Sequence, residues 1–159
     1  MPYRRITVLT VSLMALSALA ACSSSDRQGA VASRGKAVMP FDLERTTHHF
    51  TPRADGLIQE VVADDRTDTR QTELVRQHLR EEAERFKRGD FDDPARIHGA
   101  EMPGLRQLQA GAGAIDVRYQ EIGAGASISF LSPDPTLVDA LHQWGEAQVA
   151  DHGRHAATG

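Results

Sequence analysis

The sequence contains a single cysteine, Cys22, in 159 residues. One cysteine cannot close an internal disulfide, so a disulfide scaffold is excluded. A long apolar run is also missing. The apolar run before the cysteine, Ile6 to Ala21, is 16 residues, and a membrane-spanning helix needs roughly 20 apolar residues. Basic charge is in deficit, with 18 Lys and Arg against 22 Asp and Glu. That balance argues against nucleic acid as a partner, because phosphate binding needs a basic footprint. It also argues against electrostatic docking on anionic lipid. The motifs of several enzyme classes are absent too. There is no C-x-x-C, no H-E-x-x-H, no P-loop, no G-x-S-x-G and no calcium-binding loop. Gly111-x-Gly113 and Gly123-x-Gly125 read as turns, since no helix with a third glycine follows. No internal repeat is visible.

What the N-terminus does hold is an address. Arg4 and Arg5 precede the apolar run, which ends in Leu19-Ala20-Ala21 directly before Cys22. Basic start, short apolar core and small residues at a cut site make a secretory signal. The cut site resembles the lipobox of bacterial lipoproteins. Residues 1–21 are therefore expected to be removed and Cys22 to carry lipid. Ser23, rather than Asp, follows the cysteine, which suggests the outer membrane in a cell with two membranes. The expected localisation is the cell envelope, with the lipid bilayer as partner through Cys22. Lipidation would leave no free thiol for catalysis or metal binding. Cleavage would remove Arg4 and Arg5, leaving 16 basic against 22 acidic residues, a net charge of −6.

Residues 22–39 are rich in Ser, Gly, Ala and charge, and read as a flexible tether. One domain is expected over 40–152, followed by a frayed tail over 153–159. Thr46 to Thr51 and Leu57 to Ala63 read as a hairpin around Asp55-Gly56. Thr69 to Arg88 reads as a helix, with Leu74, Val75, Leu79, Ala83 and Phe86 near a 3.6-residue rhythm. Phe91 to Gly104 reads as irregular, with a short helix from Leu105 to Ala110. Alternation predicts strands over Ala114–Ile122 and Ala126–Leu131. A last helix runs from Pro135 to Asp151, with Leu137, Leu141 and Trp144 as its stripe. Gly145 inside it costs about 1 kcal/mol relative to Ala, so the helix either packs closely there or is locally weak. The order ββαββα predicts an α+β fold, a single antiparallel sheet with two main helices on one face.

Seven histidines supply the most distinctive chemistry. Imidazole binds copper or zinc, and methionine adds affinity for Cu(I). His98 stands with Glu101 and Met102 in a loop constrained by Pro and Gly. His142, Glu146, Asp151, His152 and His155 run along the last helix. His48 and His49 are strand neighbours, so at most one of them serves a given site. A candidate metal set follows: His98, Met102, His142, His152 and His49. For general acid–base work, His98 with Glu101 or His142 with Asp151 are the available pairs. Trp144, with Leu141 and Leu137, lines either a pocket or the core.

Several phrases resemble a known family: MPFDLERTTHHF, VVADD, VRQHLREEAERFKRGDFDDPARIHGAEMPGL, IDVRY and LHQWGEAQVADHG. They are similar to small bacterial proteins that carry the label aspartate carbamoyltransferase. The label implies carbamoyl transfer, yet the Ser-Thr-Arg-Thr-Arg type loop and the His-Pro-x-Gln motif of such enzymes are both missing. Their two α/β domains also need about twice this length. Carbamoyl transfer is therefore not expected. His98, His142 and His152 lie in the shared phrases, which assign them no role. Three readings remain open: a binding domain for a small ligand such as copper, an interaction module for an envelope protein, and a small enzyme using His98 with a carboxylate.

Overall fold

The computed structural model describes residues 15–159, with the backbone alone over 15–24. Residues 1–14 of the expected signal peptide and the side chain of Cys22 lie outside what is described.

Helix α1 (Ala15–Val38) leads into the hairpin β1 (Thr46–Arg53) and β2 (Gly56–Ala63). Helices α2 (Thr69–Lys87), α3 (Asp92–His98) and α4 (Leu105–Gly111) follow, then the hairpin β3 (Asp116–Ile122) and β4 (Gly125–Leu131). Helix α5 (Pro135–His152), a 3-10 turn (Gly153–His155) and β5 (Ala156–Thr158) complete the chain. The class is α+β, as the alternation of hairpins and helices predicts. Local chemistry sets the boundaries. Asp68 caps α2 by accepting from the Gln71 amide, and Asp134 caps α5 by accepting from the Thr136 amide. Pro135 sits at the first position of α5, where its missing N–H costs nothing.

The strand order is β3-β4-β2-β1-β5. Four strands pair antiparallel, with His48 opposite Val61 and Gln59 opposite both Phe50 and Ile128. The expected purely antiparallel sheet needs correction at its edge. β5 pairs parallel with β1, His48 opposite Ala156 and Phe50 opposite Thr158. The tail expected to fray is thus an edge strand, held further by the Gly159 amide donating to the Phe50 carbonyl at 3.2 Å. Residue alternation cannot show this, because three small residues carry no pattern.

The expected tether is also corrected. Residues 15–38 are helical, and α1 lies on α3 and α5. Its small residues make the contact possible rather than leaving it without one. Val31 is 1% exposed, and a Cβ on Gly35 would stand 3.0 Å from Leu43 Cδ1. The segment expected to be irregular contains α3, whose first turn carries Asp92, Asp93 and Pro94. All three suit a helix N-terminus.

The core lies between one sheet face and α2 and α5. Trp144 is its centre, 1% exposed, with the rings of Phe50, Phe86, Phe91 and Phe130 all within 6.4 Å and all nearly perpendicular to it. Such edge-to-face contacts favour the aromatic quadrupoles. Gly145 resolves in favour of close packing. A Cβ there would stand 3.0 Å from Leu57 Cδ1, so its absence lets α5 settle onto β2.

Candidate functional site: a polar cavity beneath the sheet

Three apolar stripes turn polar at the same place in the core. On the inner face of β2, Gln59 stands between Leu57 and Val61. On α2, Glu82 occupies the stripe position between Leu79 and Phe86. On α5, the stripe of Leu137, Leu141 and Trp144 continues as Gln148, Asp151 and His152. The folded chain brings Gln59, Glu82, Gln148 and His152 together around a cavity of about 40 Å³, whose wall also includes His48, His78, His98 and Phe41. The sheet supplies one wall, α2, α3 and α5 the others, and the segment after α1 closes it with Met39 and Phe41.

The imidazoles form a connected group. The rings of His48 and His152 stack 4.9 Å apart at 9°. His98 meets His152 edge-on at 5.1 Å, and His78 meets Phe41 edge-on at 5.6 Å. Burial pushes all four below the usual histidine range, and the group stays uncharged at neutral pH. For His48, repulsion from His152, His78 and His98 adds to burial and holds it well below that range. His152 falls to about 4, again through burial first and His98 second.

His98 is oriented by a carboxylate. Its Nδ1 lies 2.9 Å from Asp151 Oδ2, with both side chains almost fully buried. Burial alone would raise Asp151, but bonds from Arg27 and His98 outweigh it and hold the carboxyl below its ordinary value. Asp151 is therefore ionised and must accept, so Nδ1 carries the proton and Nε2 the lone pair. Arg27 of α1 completes the link, its Nη2 donating to Asp151 Oδ2 at 2.8 Å and to the His98 carbonyl at 3.3 Å.

On the opposite wall, Arg85 donates to Glu82 Oε1 at 3.0 Å and also to Asp93. Glu82 is pushed up to about 7, mainly by burial, against the pull of Arg85. Three buried polar atoms have no partner among the described residues: His48 Nδ1, Gln59 Oε1 and Trp144 Nε1. All three belong to residues of this cavity. A buried polar group left unpaired costs about 1–3 kcal/mol, so the hydrogen-bonding demand the fold leaves open is concentrated at this cavity.

The expected metal set does not converge. His98 and His152 meet in the cavity. Met102 is 4% exposed within the apolar core. His142 lies elsewhere, its Nε2 3.0 Å from the carbonyls of both Arg53 and Gly56. His49 points to the uncovered face of the sheet, as strand alternation requires, and lines a separate shallow groove with Asp64 and Arg66. Glu101 is exposed and pairs with Arg106. Neither expected acid–base pair forms either. His98 takes Asp151 in place of Glu101, which removes Asp151 from His142. Among the described residues, no group of three or more His, Cys, Asp or Glu is arranged to hold a metal ion. Trp144 serves both expected roles, core centre by its rings and cavity wall by its position.

Sequence reasoning missed Gln59, Glu82, Gln148 and Asp93, and it gives His78 only a boundary place beside the α2 stripe, whereas the ring lines the cavity. For the first two a signal existed. Each is a polar residue at a position whose neighbours in the period are apolar. No family model, no curated protein and no solved structure matches this chain.

Proposed function

We propose that this chain is an envelope lipoprotein, lipid-anchored through Cys22, whose domain binds a small organic molecule in the cavity beneath the sheet. One observation carries the reading: the unpartnered atoms of His48, Gln59 and Trp144 belong to residues that line one cavity, two from the sheet and one from α5. A structural core would place apolar groups there, because pairing or removing such atoms stabilises a fold. An organic ligand suits the site better than copper or zinc, since the imidazoles stack and one is committed to Asp151. Among the described residues no helix is long and apolar enough to cross a membrane. The anchoring is tested by mass spectrometry of the expressed chain. A diacylated fragment beginning at Cys22 is expected in the membrane fraction, and Cys22→Ser should move the chain to the soluble fraction. Binding is tested by native mass spectrometry of the full chain released from membranes in mild detergent. A reproducible non-covalent adduct of small mass, lost in Gln59→Leu with its circular dichroism unchanged, is expected.

The Asp151–His98 pair favours a second reading, an enzyme. A carboxylate on Nδ1 leaves Nε2 as a base, the arrangement general-base catalysis uses. Under that reading the bound molecule would lose a proton to His98, and Asp151 would hold the ring in orientation.

A further inference from the structure

We infer that residues 25–41, the second half of α1 with the bend that follows it, form a strap that lifts off the cavity and is its entrance. The inference concerns access to that cavity and rests on the binding reading above. Size is the first reason. A cavity of about 40 Å³ is on the scale of a few buried waters, each needing roughly 10–15 Å³, whereas a cavity that takes one aromatic ring has roughly 150 Å³. A small organic molecule therefore enters only where one wall gives way.

Burial decides which wall that is. Helix α2 sets Val75, Leu79, Ala83 and Phe86 into the core, and α5 sets Leu137, Ala140, Leu141 and Trp144 there. Helix α3 is short, yet Phe91 before it and Ile97 within it are both buried. The strands β1 and β2 are bonded to neighbours on both sides. Over residues 25–40, by contrast, Val31 and Gly35 are the buried positions, and Val31 alone brings an apolar side chain. Local opening is easiest where the least apolar surface is buried. Polar bonds do the rest of the fastening. Arg27 Nη2 donates to Asp151, Gln28 Nε2 to the Ala150 carbonyl at 2.9 Å, and Arg34 Nε to the Ile97 carbonyl at 2.6 Å. The Arg27 side chain is 52% exposed, so water competes directly for its bonds.

The far end of the strap is pinned. The Asp42 amide donates to Gln71 Oε1 at 2.8 Å, and the Asp42 side chain caps the 3-10 turn Leu43–Arg45, whose Leu43 is buried. The hinge thus falls between Phe41 and Asp42. Phe41 is the part of the strap that plugs the cavity. Its ring meets His78 edge-on at 5.6 Å and His48 at 6.0 Å, and Met39 lines the wall beside it. Lifting the strap takes Phe41 and Met39 out of the wall and uncovers His48. It also takes Arg27 away from Asp151 and from the His98 carbonyl. The cavity then opens on the side of its imidazoles.

Two measurements on the full chain in mild detergent at pH 7.5 test the strap. The first is amide hydrogen exchange read by mass spectrometry. Peptides within residues 25–41 should exchange at least about tenfold faster than those of α2 and α5. Exchange as slow as in those two helices overturns the inference. The second is modification by diethyl pyrocarbonate, which acylates neutral imidazole. His48 and His98 are 2% and 4% exposed and report the cavity, while His49 and His142 lie away from it and serve as internal controls. Arg27→Gln, with the circular dichroism of the parent, should speed modification of His48 and His98 by about threefold or more and leave His49 and His142 unchanged. Equal rates in parent and variant overturn the inference. Equal acceleration of all four histidines marks a general loosening and overturns it too. The adduct in native mass spectrometry judges the binding reading separately, and an adduct that persists where the strap fails these tests means that the molecule enters elsewhere.

Discussion

Glu82 sits where α2 would bury an aliphatic side chain, and its carboxyl is raised from 4.5 to about 7. The folded chain thus binds a proton more tightly than the unfolded chain does. Between about pH 4.5 and 7 the folded state holds more protons, so this residue's effect on stability worsens as pH rises. Above pH 7 the buried charge is a net cost, eased by Arg85 at 3.0 Å. Glu82→Gln keeps the shape and removes the charge. The variant should be more stable than the parent by on the order of 1–3 kcal/mol at pH 8 and nearly equal to it at pH 4.5, as read by urea unfolding at both values. At this scale much of the site was legible in principle. A Glu between Leu79 and Phe86, and a Gln between Leu57 and Val61, break their own periods in the sequence. His98 stood out for its loop, but its partner Asp151 is 53 residues away, and only the tertiary fold selects it over the nearby Glu101.

Among the elements, the two hairpins, α2 and α5 follow from alternation and 3.6-residue rhythm, and their capping aspartates mark their starts. Helix α1 was not legible in the same way. Its sequence, ALSALAACSSSDRQGAVASRGKAV, has almost no amphipathic pattern, because it is held by small-residue contact and by two arginines rather than by an apolar stripe. Arg34 Nε donates to the Ile97 carbonyl at 2.6 Å, and Arg27 reaches Asp151. These bonds fasten α1 to the ends of α3 and α5, which position His98 and His152. Arg27→Ala removes the partner of a nearly buried carboxylate. A loss of about 1–2 kcal/mol in urea unfolding is expected, less than the 3–5 kcal/mol of a fully buried pair because Arg27 is half exposed. The same variant should raise the pKa of Asp151, readable by NMR titration of its carboxyl carbon. An unchanged stability would show that α1 rests on the domain without bracing it.

At the scale of the whole molecule, four buried neutral imidazoles act in one direction. His48, His78, His98 and His152 all bind protons more weakly folded than unfolded. Below pH 6.5 the unfolded chain takes up protons that the folded chain refuses, and stability falls as pH falls toward the value of about 4 held by His152. Glu82 works the opposite way over part of that range, but one carboxyl is set against four rings. The urea midpoint should therefore drop steeply between pH 6.5 and 4. The drop should be visibly shallower in His152→Gln, which removes one titrating ring and keeps a polar side chain in its place. An equal slope in the two proteins would show that the ring does not contribute to acid unfolding.

Under the proposed lipid anchor, helix α1 sets how far the cavity stands from the bilayer. A disordered leash of residues 22–39 would span about 20–25 Å on average and swing freely. A helix docked by Arg27, five residues past Cys22, instead rises only about 7–8 Å between lipid and domain. With acyl chains on Cys22, the domain would ride against the bilayer like a float on a short mast, one side always toward the headgroups. Its catch would then come from the first layer of fluid over the membrane, and any protein receiving it would have to approach within that layer.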